Sequence, residues 1–271
     1  MRRLIIAGNW KMNTNMADAT ILATVIKNRV EDLSGVEIIL CPPAIYLSPL
    51  SEIISKDLKH LSLGAQNIHY ARAGAFTGEI SATMVKEYCR YVILGHSERR
   101  EHFYEDSEFI NDKIQAALKS KVKPIICVGE KRKNRDSYKE AASELKKDLA
   151  GVDKADYKDL IIAYEPVWAV GALEPATAEY AAKAITIIRE IVGQKTPILY
   201  GGSVDSGNIA EFTARPEIDG ALVGRASIKA TEFVKICQRA EKSKRFENQV
   251  VTKDNKSPIL GEIKIRKINI N

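Results

Sequence analysis

The chain has 271 residues, 45% hydrophobic and 28% charged, with a formal net charge of +6, a composition that allows one large buried core or two smaller ones. No run approaches the roughly 18 consecutive apolar residues of a membrane helix, and the four apolar residues between Arg3 and Gly8 are too few for a secretory leader, so a cytoplasmic protein is expected. Residues 241–271 carry eight Lys/Arg against four Asp/Glu, which is +4 of the +6, so residues 1–240 hold only +2 and offer no basic face for nucleic acid.

In chain order, short apolar runs rich in β-branched residues occur at Leu4-Ala7, Glu37-Cys41, Leu61-Ala65, Tyr91-Leu94, Pro124-Val128, Leu160-Tyr164, Pro197-Tyr200 and Gly220-Val223. Helical periodicity fills the intervals: Leu22, Val25, Ile26 and Val30 share a face after the first run, and Ile185, Ile188 and Val192 share one after the sixth. The third helix is expected around Ser81 to Cys89. Strands alternating with helices pair in parallel and are buried on both faces, which explains runs that are apolar throughout. Eight such units in about 240 residues predict an α/β fold of the (β/α)8 barrel type. A doubly wound open sheet is the alternative, but no Gly-x-Gly-x-x-Gly follows the first run. The expected division is a barrel over 1–241 and a basic, non-catalytic tail over 242–271, in which Glu262 to Ile265 alternates like a half-buried strand. Cys41, Cys89, Cys127 and Cys237 are scattered with no C-x-x-C pair, so reduced, buried thiols are expected, with no metal site or disulfide.

Barrel enzymes carry their chemistry at the C-terminal ends of the strands. Polar and glycine-bearing segments stand there repeatedly: Asn9-Trp10-Lys11, Gly95-His96-Ser97-Glu98, Tyr164-Glu165-Pro166-Val167-Trp168, Tyr200-Gly201-Gly202-Ser203-Val204, and Gly224 after the eighth run. Each alone could cap a strand. Together they offer a carboxylate base, an imidazole, an ammonium and glycine turns suited to an anion, which is what proton removal beside a carbonyl requires. A helix beginning after His96 would disfavour the charged imidazole through its dipole.

These segments resemble the active-site segments of the triosephosphate isomerase family, and the resemblance runs from Leu4 to about residue 240. It implies a cofactor-free, metal-free isomerase of glycolysis and gluconeogenesis that interconverts dihydroxyacetone phosphate and D-glyceraldehyde 3-phosphate through an enediolate. By the same resemblance Glu165 shuttles the proton, neutral His96 donates to the enediolate oxygen, and Lys11, oriented by Asn9, contacts the substrate. Glu98 pairs with Lys11 and can relay protons. The phosphate falls to backbone N–H groups at Gly171, Ser203, Gly224 and Arg225, with Asn9 and Lys11 also touching substrate, while Val170 and Leu222 form an apolar pair over the base. The long segment Gln66 to Ser81, apolar at its tip, implies a homodimer in which Thr77 lies near the partner's site.

Two departures stand out. Gly171-Ala172-Leu173-Glu174-Pro175-Ala176 replaces the family's usual Gly-Thr-Gly-Lys-Thr-Ala, and Arg225 replaces a glycine. Two other readings remain open at the level of sequence: a non-catalytic barrel that binds phosphate ligands, and an aldolase forming a Schiff base on Lys11.

Overall fold

The computed structural model describes residues 2–55, 58–133, 137–169 and 176–254. Eight strands, β1 Leu4–Asn9, β2 Val36–Cys41, β3 Leu61–Ala65, β4 Tyr91–Leu94, β5 Lys123–Val128, β6 Ile161–Tyr164, β7 Ile198–Tyr200 and β8 Gly220–Val223, pair in sequence order into a closed barrel. All pairs are parallel, from Leu4↔Val36 and Asn9↔Cys41 in the first to the closing pair, where Ile5 meets Gly220 and Gly8 meets Val223. That seam demands glycine. Gly220 has φ +140°, and a Cβ there would lie 1.8 Å from the Ile5 carbonyl oxygen. Closure excludes the doubly wound alternative, since a closed barrel has no edge strand.

The strands alternate between two cores, which is why they read as continuously apolar. One set, including Ile5, Ala7, Ile39, Ile93, Ile125, Ile161, Leu199 and Leu222, fills the barrel interior. The intervening set, including Leu4, Ile6, Ile38, Leu40, Val92, Ile126 and Ile162, packs outward under the helices. Each such fully buried aliphatic side chain stabilises the fold by about 2 kcal/mol relative to exposure.

The surrounding helices are α1 Met16–Arg29, α2 Leu47–Ile53, α3 Ala82–Val85, α4 Ser97–His102, α5 Ser107–Lys119, α6 Ser137–Asp148, α7 Ala178–Val192, α8 Ile209–Thr213 and α9 Ala230–Asp254. Asn15, Asp106 and Thr177 cap α1, α5 and α7 by accepting the backbone N–H of Asp18, Phe109 and Tyr180. On α1 the buried face is Ala19, Leu22, Ala23 and Ile26, with Val25 half-buried at its margin. Ile185, Ile188 and Val192 are buried on α7, as the periodicity requires.

Two elements differ from the sequence reading. The helix expected around Ser81 to Cys89 shortens to the single turn of α3, capped by Ser81 and burying Ala82 and Val85. The last helix does not end near residue 241: α9 continues to Asp254, since 242–254 contains neither Gly nor Pro and the first proline comes at Pro258. The 241/242 boundary therefore falls inside a helix. The alternating stretch Glu262 to Ile265 lies outside the described residues. All four cysteines are buried free thiols.

Candidate active site

Parallel strands bring all eight C-terminal ends to one rim, which surrounds a cavity of about 580 Å3. Asn9, Lys11, His96, Glu165, Gly201, Gly202, Ser203, Leu222, Gly224 and Arg225 all line it, drawn from the ends of five strands. Gly171, Val170 and the altered segment 172–175 lie outside the described residues.

Glu165 follows β6 directly and is 2% exposed. Its backbone N–H donates to the Val128 carbonyl at 2.8 Å, which locks the end of β6 to β5. One carboxylate oxygen accepts the Ser97 N–H at 3.1 Å, and the other lies 3.3 Å from His96 Nε2. His96 caps α4: its Nδ1 accepts the Glu98 N–H at 3.2 Å. An imidazole nitrogen that accepts a hydrogen bond carries no proton, so in the neutral ring the proton sits on Nε2, the nitrogen 3.3 Å from Glu165 Oε1.

Lys11 adopts a left-handed backbone, φ +53°, uncommon for a non-glycine residue. Two side chains over-determine it. Asn9 Oδ1 accepts its N–H at 3.0 Å, and Gln66 Nε2 donates to its carbonyl at 2.8 Å and to that of Cys41 at 2.9 Å. Lys11 Nζ then pairs with Glu98 Oε1 at 2.5 Å. Burial tends to raise the Glu98 carboxyl, but the Lys11 hydrogen bond and the Lys11 charge outweigh it and hold it below the usual carboxylate range. Gly224 lies against the Lys11 stem, where a Cβ would be 3.5 Å from Lys11 Cε. The ammonium therefore reaches from the imidazole side toward the glycine turns.

On that opposite side, Gly201, Gly202 and Ser203 follow β7, and Gly224 opens the 3₁₀ turn Arg225–Ile228 after β8. Turns of this kind offer backbone amides to an anion. Arg225 is exposed and lines the cavity, and it forms no ion pair with the described acids. The rim acids Asp205 and Glu232 are instead engaged by backbone amides, Glu232 accepting the Ser206 N–H at 2.7 Å and Asp205 those of Gly207 and Asn208.

Several residues at the site escaped the sequence reading. Cys127, read only as a buried thiol, lies near Glu165; burial first, and then the charge of that carboxylate, push its thiol well above the ordinary range. Gly129 passes so near Glu165 that a Cβ would lie 1.6 Å from the Glu165 carbonyl oxygen. Glu130, fully buried, accepts from Tyr164 Oη at 2.8 Å, Trp168 Nε1 at 2.9 Å and Tyr180 Oη at 2.9 Å. Gly129-Glu130 follows β5 as the other motifs follow their strands, so its position was the available signal. Gln66 follows β3 in the same way.

A closed parallel barrel with a buried carboxylate, a proton-bearing imidazole nitrogen and glycine turns around one rim cavity defines an enzyme that moves protons on a small anionic substrate. Among known proteins, the family profile described as triosephosphate isomerase matches residues 4–240. A triosephosphate isomerase of Dehalococcoides mccartyi is 46% identical over 251 residues, 89% of this chain and 98% of the relative. Those of Carboxydothermus hydrogenoformans and Herpetosiphon aurantiacus are 43% and 42% identical, each over 87% of this chain and 98% of the relative. The chain belongs to the triosephosphate isomerase family and is an isomerase.

Proposed function

We propose that the chain interconverts dihydroxyacetone phosphate and D-glyceraldehyde 3-phosphate, with Glu165 carrying the proton between the two carbons. The supporting observation is the pair at the rim: a 2% exposed Glu165 carboxylate 3.3 Å from the Nε2 of His96. The substrate carbon presents its proton to Glu165, and the developing enediolate oxygen accepts a hydrogen bond from His96 Nε2–H. Lys11 supplies positive charge to the same oxygens, and Asn9 holds Lys11 in its left-handed turn. Glu98 anchors the ammonium. The phosphate is gripped by amides at Ser203, Gly224 and Arg225, and at Gly171. Leu222, 3% exposed beneath the cavity, keeps water from the base. These roles need no metal or cofactor.

The same reading makes the protein a cytoplasmic homodimer. Tyr70, Phe76, Phe103 and Tyr104 are large apolar or aromatic side chains left 39%, 41%, 62% and 88% exposed, and Phe76 belongs to the segment between Gln66 and Ser81. Such exposure favours cover by a second copy. The tail 242–271 takes no part in chemistry. A coupled assay with dihydroxyacetone phosphate tests the activity: turnover by the wild-type chain is expected, and its absence in folded protein would favour the phosphate-binding barrel. Sedimentation at micromolar concentration tests the assembly, with a fully active monomer as the refuting outcome.

A further inference from the structure

Behind Glu165, on the side away from the glycine turns, the ends of β4, β5 and α6 converge on one guanidinium. Arg100 Nε donates to the Gly95 carbonyl at 2.8 Å, one residue before His96. One of its terminal nitrogens donates to the Cys127 carbonyl at 3.0 Å and to Asp148 Oδ2 at 2.5 Å. The other lies 3.4 Å from Glu144 Oε1. We propose that Arg100, held by Asp148 and Glu144, is a positioning residue that sets the spacing between His96 and Glu165.

This inference rests on the reading of those two side chains as the reacting groups. Arg100 itself does not line the rim cavity and touches no substrate. Its influence passes along two short chains of contacts. Toward His96 it runs through Gly95, whose φ of +67° and missing Cβ admit the guanidinium: a Cβ would lie 2.7 Å from the Arg100 nitrogen. Toward Glu165 it runs through Cys127, a buried residue that lines the same small cavity as that carboxylate. Glu144 adds a second route. Its Oε2 accepts the Gly129 N–H at 3.2 Å, and Gly129 lies against the Glu165 backbone.

Packing alone would not keep these parts in place. A cavity of about 210 Å3, lined in part by Gly95, Ser97, Arg100, Cys127, Glu144 and Glu165, leaves room for the loops to shift once the guanidinium is lost. Only a planar fork can span two carbonyls and two carboxylates at once; an ammonium is a point charge that must choose among them.

The test is Arg100→Lys, with steady-state kinetics in the coupled assay and inhibition by inorganic phosphate. Misplacing one reacting group by about 1 Å costs up to a hundredfold, so kcat is expected to fall about tenfold or more. KM and the phosphate inhibition constant should stay within about twofold, because the glycine turns lie on the other side of the rim. An unchanged kcat in folded Arg100→Lys overturns the proposal, as does an equal loss of kcat and phosphate affinity, which marks a merely structural role. If Arg100→Lys does not fold, Glu144→Gln decides: a fall in kcat at constant KM supports the positioning role, and an unchanged kcat refutes it. Failure of the functional reading itself would appear separately, as an inactive wild-type chain.

Discussion

The two sides of the rim are built from different materials. At the ends of β1, β4 and β6, side chains line the cavity and are held by fixed partners: Ser97 N–H on Glu165, Glu98 N–H on His96, Asn9 and Gln66 on Lys11. At the ends of β7 and β8 the lining includes glycine turns, and Gly201 and Gly202 stand where a Cβ would collide. At Gly201 it would lie 2.8 Å from Glu165 Cγ, and at Gly202 2.2 Å from the Tyr200 hydroxyl. Moving a proton needs a group that changes its protonation state, which no backbone amide does. Holding an anion needs donors that do not change, and amides supply them without a side chain's rotamer entropy. Substitutions on one side should therefore act on turnover, and those on the other on affinity.

The strongest way to break this contrast is Glu165→Gln, expected to lower kcat about a thousandfold while leaving the phosphate inhibition constant within about twofold. His96→Gln should lower kcat about a hundredfold with the same spared affinity, through loss of the Nε2–H donor. Both are read by the coupled assay and an inhibitor titration; a comparable loss of phosphate binding in either would show that the two sides are not separable.

Arg225→Gly sharpens the other side, because it removes the one side-chain cation that the altered glycine turn adds. Phosphate inhibition should weaken about threefold to fivefold at low salt, and the difference should shrink as ionic strength rises. An unchanged inhibition constant at low salt would mean that Arg225 contributes its backbone alone.

Glu144, behind the proton-handling side, makes a prediction about stability. Burial, despite Arg100 and the Gly129 amide, raises its carboxyl from 4.5 to about 7. The folded chain then holds this proton more tightly than the unfolded chain, so the cost of ionising it is absent below pH 4.5 and complete above about pH 7. Stability should fall as pH rises through that window, and Glu144→Gln should flatten that part of the profile in urea unfolding series. An unaltered slope would show that Glu144 titrates normally.

The smallest effect is expected from ending the chain after Ser243. This truncation keeps the Thr213–Ser243 hydroxyl contact of 2.6 Å and removes none of the cavity lining. The value of kcat/KM should stay within about threefold. A large loss with circular dichroism preserved would place the tail at the site.

The barrel was legible in the sequence because parallel strands buried on both faces must be apolar throughout, and the interval between them must hold a helix. Every strand stands within two residues of its expected bounds. Lys11, His96 and Glu165 were legible for a related reason: strand ends in such a fold share one rim, so residues far apart in sequence become neighbours by topology alone. What periodicity does not carry is the end of an element, whether it lacks a stop signal, as in α9, or shortens to a single turn, as in α3. The tertiary structure alone decided which nitrogen of His96 bears the proton, because the Glu98 N–H that selects it is a matter of geometry at 3.2 Å. It also decided the parts played by Cys127, which read as a buried thiol, and by Gly129 and Arg100, to which the sequence reading gave no role. Their contacts reach across 27 residues from Arg100 to Cys127 and 48 to Asp148, and a contact between distant residues leaves no local pattern from which to read it.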